Sequence, residues 1–154
     1  MGLSLENHLG KGGFMPDSLI LVPVDGSPHS QRAVEYAVKL SRSLNLPVLL
    51  IHCHKPFPAL LGEPYYQKAI TKIQSEANQR IQFHREMLQE EEVEYAERML
   101  QGDPGTVICE VAELEKCEMI VMGSRGRSDL KGLLLGSVAH KVIQSAPCPV
   151  LIVR

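Results

Sequence analysis

Leu19-Ile20-Leu21-Val22-Pro23-Val24-Asp25-Gly26-Ser27-Pro28 is the stretch on which the fold of this chain turns. Its first six residues are almost wholly apolar, the pattern of a strand covered on both faces. Asp25 and Gly26 then break the run. Ser27 offers a side-chain oxygen as a helix N-cap, and Pro28 suits a first helical position. Beyond it Ala33, Val34, Ala37, Val38, Leu40 and Leu44 recur at helical spacing. A second apolar run, Val48-Leu49-Leu50-Ile51, follows directly. Strand, helix and strand in this order form one βαβ unit, and its two strands run parallel.

Outward from this unit the rhythm repeats. A proline-rich connection over residues 55–66 carries Pro56, Pro58 and Pro64, and a long helix follows with Ile70, Ile73, Ala77, Ile81, His84 and Leu88 on one face. Val93 to Leu100 reads as a third strand, and Glu94, Glu97 and Arg98 within it suit a sheet edge. Asp103-Pro104 repeats the cap-plus-proline device, and Val107, Ile108, Val111, Ala112 and Leu114 mark the third helix. Met119-Ile120-Val121-Met122 is the fourth strand. A loop with Gly123, Gly126, Gly132 and Gly136 leads to a short helix with Val138, Val142 and Ile143 inward, and Pro149-Val150-Leu151-Ile152-Val153 is the fifth strand. Five strands alternating with four helices predict an α/β fold, a doubly wound parallel sheet with helices on both faces.

Residues 1–17 stand apart. Gly10-Lys11-Gly12-Gly13 has neither a preceding strand nor a Ser or Thr beside the lysine, as a phosphate loop requires. The segment reads as a flexible N-terminal tail, with residues 18–154 as the single domain that 154 residues allow. A net charge of -2 recruits neither nucleic acid nor an anionic membrane, and neither is expected as a partner. No apolar stretch approaches the roughly 18 residues of a membrane span. Cys53, Cys109, Cys117 and Cys148 show no CxxC, which suggests a reducing compartment and a cytoplasmic protein.

Sheets of this kind bind ligands beyond the carboxyl ends of their strands, where the strand order reverses. With strand one central, that crevice lies between strands one and four, walled by Val24-Asp25-Gly26 and by the loop from Gly123. Gly123-Ser124-Arg125-Gly126, nine residues, then Gly136-Ser137 follow a buried strand and open a helix. Glycines let backbone N–H groups approach an anion, and a helix N-terminus carries unpaired donors and partial positive charge. Arg125, Arg127 and Lys131 add local charge. A tight turn without a ligand competes with this reading. In His52-Cys53-His54 the two histidines point to one strand face and Cys53 to the other, which disfavours a metal cluster. His84 and His140 read as packing or solvent-facing residues, and no acid–base triad order is visible for Ser27 or Ser137.

Over residues 18–154 the sequence resembles the universal stress protein family. Ile20-Leu21-Val22-Pro23-Val24-Asp25-Gly26-Ser27 is similar to that family's first strand and turn. Met122-Gly123-Ser124-Arg125-Gly126 with Leu134-Leu135-Gly136-Ser137-Val138-Ala139 resembles G-x2-G-x9-G-(S/T), the pattern of its ATP-binding branch, and Ala146-Pro147-Cys148-Pro149-Val150-Leu151-Ile152-Val153 resembles its ending. The resemblance implies a strand order of 3-2-1-4-5 and an ATP-binding regulatory or stress-response module. It implies that Gly123, Gly126, Gly136 and Ser137 hold phosphates, with Ser124 and Arg125 in the same loop and a Val138 N–H added. Asp25 would accept from the ribose, Pro23, Val24 and Met122 would lie along the nucleoside, and the Cys53 main chain would meet the adenine edge. Mg²⁺ or Mn²⁺ would be held through ATP phosphates rather than by the protein, so neither a metal-ligand set nor a catalytic residue is assigned. Homodimerisation through strand five is the implied assembly. A slow ATPase or a nucleotidyl-transferring enzyme is the alternative, against which stands the lack of an evident base or acidic metal cage. The basic residues flanking Gly126 either tighten phosphate binding or are simply solvated.

Overall fold

In a computed structural model, residues 18–56, 62–127 and 134–154 are described. The expected tail over residues 1–17 lies outside them, as do Pro58, Lys131 and Gly132. The elements run β1 (Ile20–Pro23), α1 (Pro28–Leu44), β2 (Val48–His54), α2 (Tyr65–Glu90), β3 (Tyr95–Gln101), α3 (Pro104–Leu114), β4 (Met119–Gly123), α4 (Ser137–Ser145) and β5 (Val150–Val153). The sheet is wholly parallel, in the order β3-β2-β1-β4-β5, as expected. Ile20 is the hinge of this order, paired with Val48 of β2 on one side and Met119 of β4 on the other.

The two-residue period of the strands sorts the apolar runs into two cores. Ile20, Val22, Leu50 and Val121 face α1 and α2, where Ala33, Val34, Ala37, Ile81 and Leu88 cover them. Leu21, Leu49, Ile51, Ile120 and Met122 face α3 and α4, against Ile108, Val111, Ala139 and Val142. Continuous rather than alternating apolar runs are what a sheet covered on both faces demands. Both proline-led helices carry the cap read from sequence: Ser27 Oγ accepts from the Ser30 N–H and Asp103 from the Thr106 N–H.

Three leucine and isoleucine positions depart from the helical periodicity. Leu44 and Leu114, each the last residue of its helix, and Ile143, displaced by its neighbour Val142, are exposed. The third strand begins at Tyr95, because Val93 closes the preceding turn by donating to the Leu88 carbonyl. Its charges are not merely solvated: Glu97 pairs with Arg85 of α2 on one face, and Arg98 with Glu115 beyond α3 on the other.

Candidate functional site

A cleft of about 450 Å³ opens at the carboxyl ends of the strands, where the order turns from β1 to β4. Pro23, Val24 and Asp25 line one wall, and Met122, Gly123, Arg125 and Gly126 the other. Cys53 from β2 and Gly136, Ser137 and Val138 from the start of α4 complete it. Eleven of the twelve residues expected at the site therefore converge on one space. Ser124 is the exception. It is buried behind the loop, its N–H donating to the Val153 carbonyl and its Oγ 3.4 Å from His29 Nδ1.

The two walls are tied together by Asp25. Its Oδ1 accepts from the Ser27 N–H at 3.0 Å, closing the turn after β1. Its Oδ2 reaches across to the glycine loop and accepts from the Arg127 N–H at 3.0 Å. A carboxylate bonded by backbone donors from both walls fixes the width of the cleft mouth. Gly26 within that turn has φ +80°, and a Cβ there would also lie 3.2 Å from the Arg80 carbonyl of α2. Both the left-handed backbone and the contact require glycine.

The described loop glycines, Gly123, Gly126 and Gly136, answer to close approach rather than to backbone angle. A Cβ on Gly123 would fall 2.7 Å from the His29 backbone carbon, and one on Gly126 would fall 2.7 Å from Asp25 Oδ2. Gly136 has φ -74° and ψ 160°, which any residue adopts, yet its Cβ would meet Arg125 Cα at 3.3 Å. Its N–H donates to the Ser124 carbonyl at 2.7 Å. Gly136 thus seats the loop on α4, and the donors directed past it are those of the following residues.

Those donors open α4, whose N-cap makes no side-chain hydrogen bond. A glycine cap with no side-chain acceptor leaves first-turn N–H groups for an external anion. Among the described residues, the positive side chains lining the cleft are Arg125, Arg127 and Lys55. An anionic group with an apolar body fits this donor set, because the remaining wall is apolar: Ile51, Pro104 and Ile108. Sequence reasoning missed Lys55, Pro104 and Ile108. Pro104 opens α3, and the rule that ligands sit at the carboxyl ends of strands already pointed to that helix N-terminus.

Burial pushes the Cys53 thiol up to about 12, with Asp103 adding in the same direction, so the free side chain is protonated at neutral pH. Among the described residues no group of three or more His, Cys, Asp or Glu side chains gathers to hold a metal. Among the same residues no helix is long and apolar enough to cross a membrane.

The family model described as "Universal stress protein family" matches residues 19–154. A Thermus aquaticus universal stress protein is 38% identical over 135 residues, spanning 88% of this chain and 97% of its own. The solved structure of Methanocaldococcus jannaschii MJ0577 superposes with a TM-score of 0.77 at 27% identity, over 91% of this chain and 96% of that one. A solved universal stress protein in complex with cAMP is 29% identical, with a TM-score of 0.59 over 89% of this chain and 96% of that one.

Proposed function

This chain belongs to the universal stress protein family, and from that premise we propose that it binds ATP in the β1–β4 cleft and acts as a nucleotide-dependent regulatory module. The observation that carries the reading is the α4 N-terminus. It opens on the cleft, and its N-cap, Gly136, has no side chain with which to cap it. Phosphates complete that cap, with Ser137 as a hydroxyl donor and Val138 as a backbone donor. The nucleoside lies along Pro23, Val24 and Met122, with the ribose toward Asp25 and the base toward Cys53 and Ile51. A 29% identical relative in complex with cAMP supports an adenine nucleotide as the ligand class. Mg²⁺ or Mn²⁺ enters with the phosphates, as their usual coordination favours.

Binding regulates only where ATP prefers one conformation of the protein. The glycine loop is the element whose position the phosphates bias, since Asp25 links it to the opposite wall. Protein denatured directly after purification should release nucleotide on chromatography. Stripped protein should gain melting temperature with ATP, because a ligand of the folded state stabilises it above its Kd. No released nucleotide, no heat and no shift at millimolar ATP would remove this reading. Multiple-turnover release of ADP or AMP in the same samples would replace the switch with an enzyme.

The same module assembles as a homodimer through β5. That strand lies outermost beside β4 and exposes Leu151, with Ile143 of α4 also exposed. An uncovered apolar edge favours pairing with a second chain, and two-fold symmetry makes the pairing antiparallel. Deleting residues 149–154 should give monomer or aggregate by light scattering. An unchanged dimer would place the interface elsewhere.

A further inference from the structure

Behind the cleft, on the α1–α2 side of the sheet, lie two buried histidines from different elements. His52 of β2 is 4% exposed and His84 of α2 is fully buried. Both hold the turn that carries Asp25. His52 Nδ1 donates to the Val24 carbonyl at 2.7 Å. His84 Nε2 lies 3.1 Å from Ser30 Oγ, and that hydroxyl donates to the Ser27 carbonyl at 2.9 Å. A serine hydroxyl has one proton, so with it given to Ser27 the imidazole Nε2–H must be the donor. Each ring thus makes its bond while neutral, and the second nitrogen of each, His52 Nε2 and His84 Nδ1, is buried without a hydrogen-bond partner.

The consequence runs from the rings to the ligand through a short chain of bonds. His52 fixes Val24, which lines the cleft, and His84 fixes Ser30 and Ser27. Ser27 in turn donates to Asp25, and Asp25 accepts from Arg127 of the glycine loop. Resting on the nucleotide reading above, we propose that His52 and His84 are positioning residues for the ligand, and that protonating them loosens the 24–27 turn and releases nucleotide.

A second proton on either ring goes to a buried nitrogen that makes no hydrogen bond, His52 Nε2 or His84 Nδ1. The groups facing the pair do not remedy this. Asp25 just past β1 favours the charged rings, whereas Arg80 of α2 and His54 of β2 oppose charge on His52, and His52 opposes charge on His84. The uncharged Ser30 of α1 bonds His84 and links it to the N-cap Ser27, and β3 places Met99 beside His52. The Arg80 carbonyl favours a charged His84, but burial outweighs it, and burial likewise outweighs the Val24 carbonyl at His52. Both rings are held below their ordinary range. As pH falls past that range the free protein gains protons only by opening the turn, so the closed, binding-competent form is the one that is lost.

The experiment is ATP titration by calorimetry from about pH 8 to about pH 5.5, on wild type and on the His52→Asn, His84→Gln double variant. Asparagine and glutamine reproduce the Nδ1 and Nε2 donors without titrating. The nucleotide's own protonation is common to both proteins and cancels in the comparison. Wild type should lose about tenfold more affinity than the variant across the range, as linkage to one proton gives per pH unit. Parallel pH profiles, or a wild-type affinity that rises on acidification relative to the variant, would overturn the proposal. Amide hydrogen exchange of ligand-free wild type supplies a readout that needs neither nucleotide nor the variant. Protection at residues 24–30 should fall at low pH while the centre of β2 stays protected. Absence of that loss overturns the inference by itself, whereas absence of ATP binding at about pH 8 with the loss intact overturns only the nucleotide reading.

Discussion

Two helices, α3 and α4, begin side by side at the same cleft and end their backbones in opposite ways. At α3 the protein supplies its own anion. Asp103 Oδ2 accepts from the Thr106 N–H at 3.0 Å, from Thr106 Oγ1 at 2.9 Å and from Lys141 Nζ at 2.8 Å. At α4 the cap is Gly136, which has no side chain to accept from the first turn. For the proposed nucleotide, the contrast tells its two ends apart. An anion is repelled where a carboxylate already occupies the helix dipole, and drawn where the dipole is unanswered. On the proposed reading the phosphates go to α4, and the base lies on the apolar side of the cleft, where Ile51, Cys53, Pro104 and Ile108 line it.

The most direct way to break this contrast is to make α4 resemble α3. Gly136→Asp places a carboxylate in the extended geometry that N-caps use, since Gly136 already has φ -74° and ψ 160°. ATP affinity should fall by more than about 100-fold, because phosphate loses both its donors and its space. Circular dichroism should show the fold retained, with melting no lower than in wild type beyond what crowding at Arg125 removes. Gly136→Val separates the two causes: it crowds Arg125 Cα without adding charge, so a valine variant that binds normally would assign the loss to charge alone. A smaller effect is expected of Ser137→Ala, which removes one hydroxyl from the phosphate end. The cost should be about 1.5–3 kcal/mol, the range for a hydrogen bond to a charged group. Calorimetric affinity equal to wild type would place that hydroxyl outside the site.

What could be read from sequence followed how local the cause was. The runs at Leu19–Val24, Val48–Ile51 and Met119–Met122 predicted buried parallel strands because burial on both faces leaves no polar position in a strand. Ser27-Pro28 and Asp103-Pro104 announced their helices because a cap acts within four residues. The cleft walls were legible because they follow from strand ends and glycines. Three things were not. Glu97 and Arg98 read only as marks of a sheet edge, which β3 is, although each also finds a distant partner, Arg85 of α2 and Glu115 just past α3. His84 read as a packing or solvent-facing residue, since Ser30 is 54 positions away along the chain. The reason for each loop glycine was hidden too: at Gly123 it is a helix backbone nearly a hundred residues distant, not an anion. Spacing shows which residues repeat, and only tertiary contact shows what each one touches.

The smallest expected change in binding sharpens the comparison from its other side. Asp103→Ala removes the cap of α3, and the phosphates at α4 should scarcely register it. ATP affinity should stay within about twofold of wild type, since surface charges at this distance are screened by salt. Stability is another matter. Lys141 first, and then the Thr106 N–H and hydroxyl, hold the Asp103 carboxyl down to about 2. The sign follows from linkage: the unfolded chain takes up this proton near the ordinary carboxylate range of about 4, while the folded chain resists it. Asp103 therefore stabilises the fold fully above about pH 4, and that contribution is lost as pH falls toward about 2. Wild type should melt higher than Asp103→Ala at neutral pH, and the gap should close across that acidic window. It should also narrow with added salt, because the carboxylate and Lys141 are both exposed. A gap that persists unchanged to about pH 2 would mean the alanine acts by lost packing and not by a lost charge. A large fall in ATP affinity in the same variant would show that α3 as well as α4 receives the phosphates, and the division of the cleft into two ends would fail.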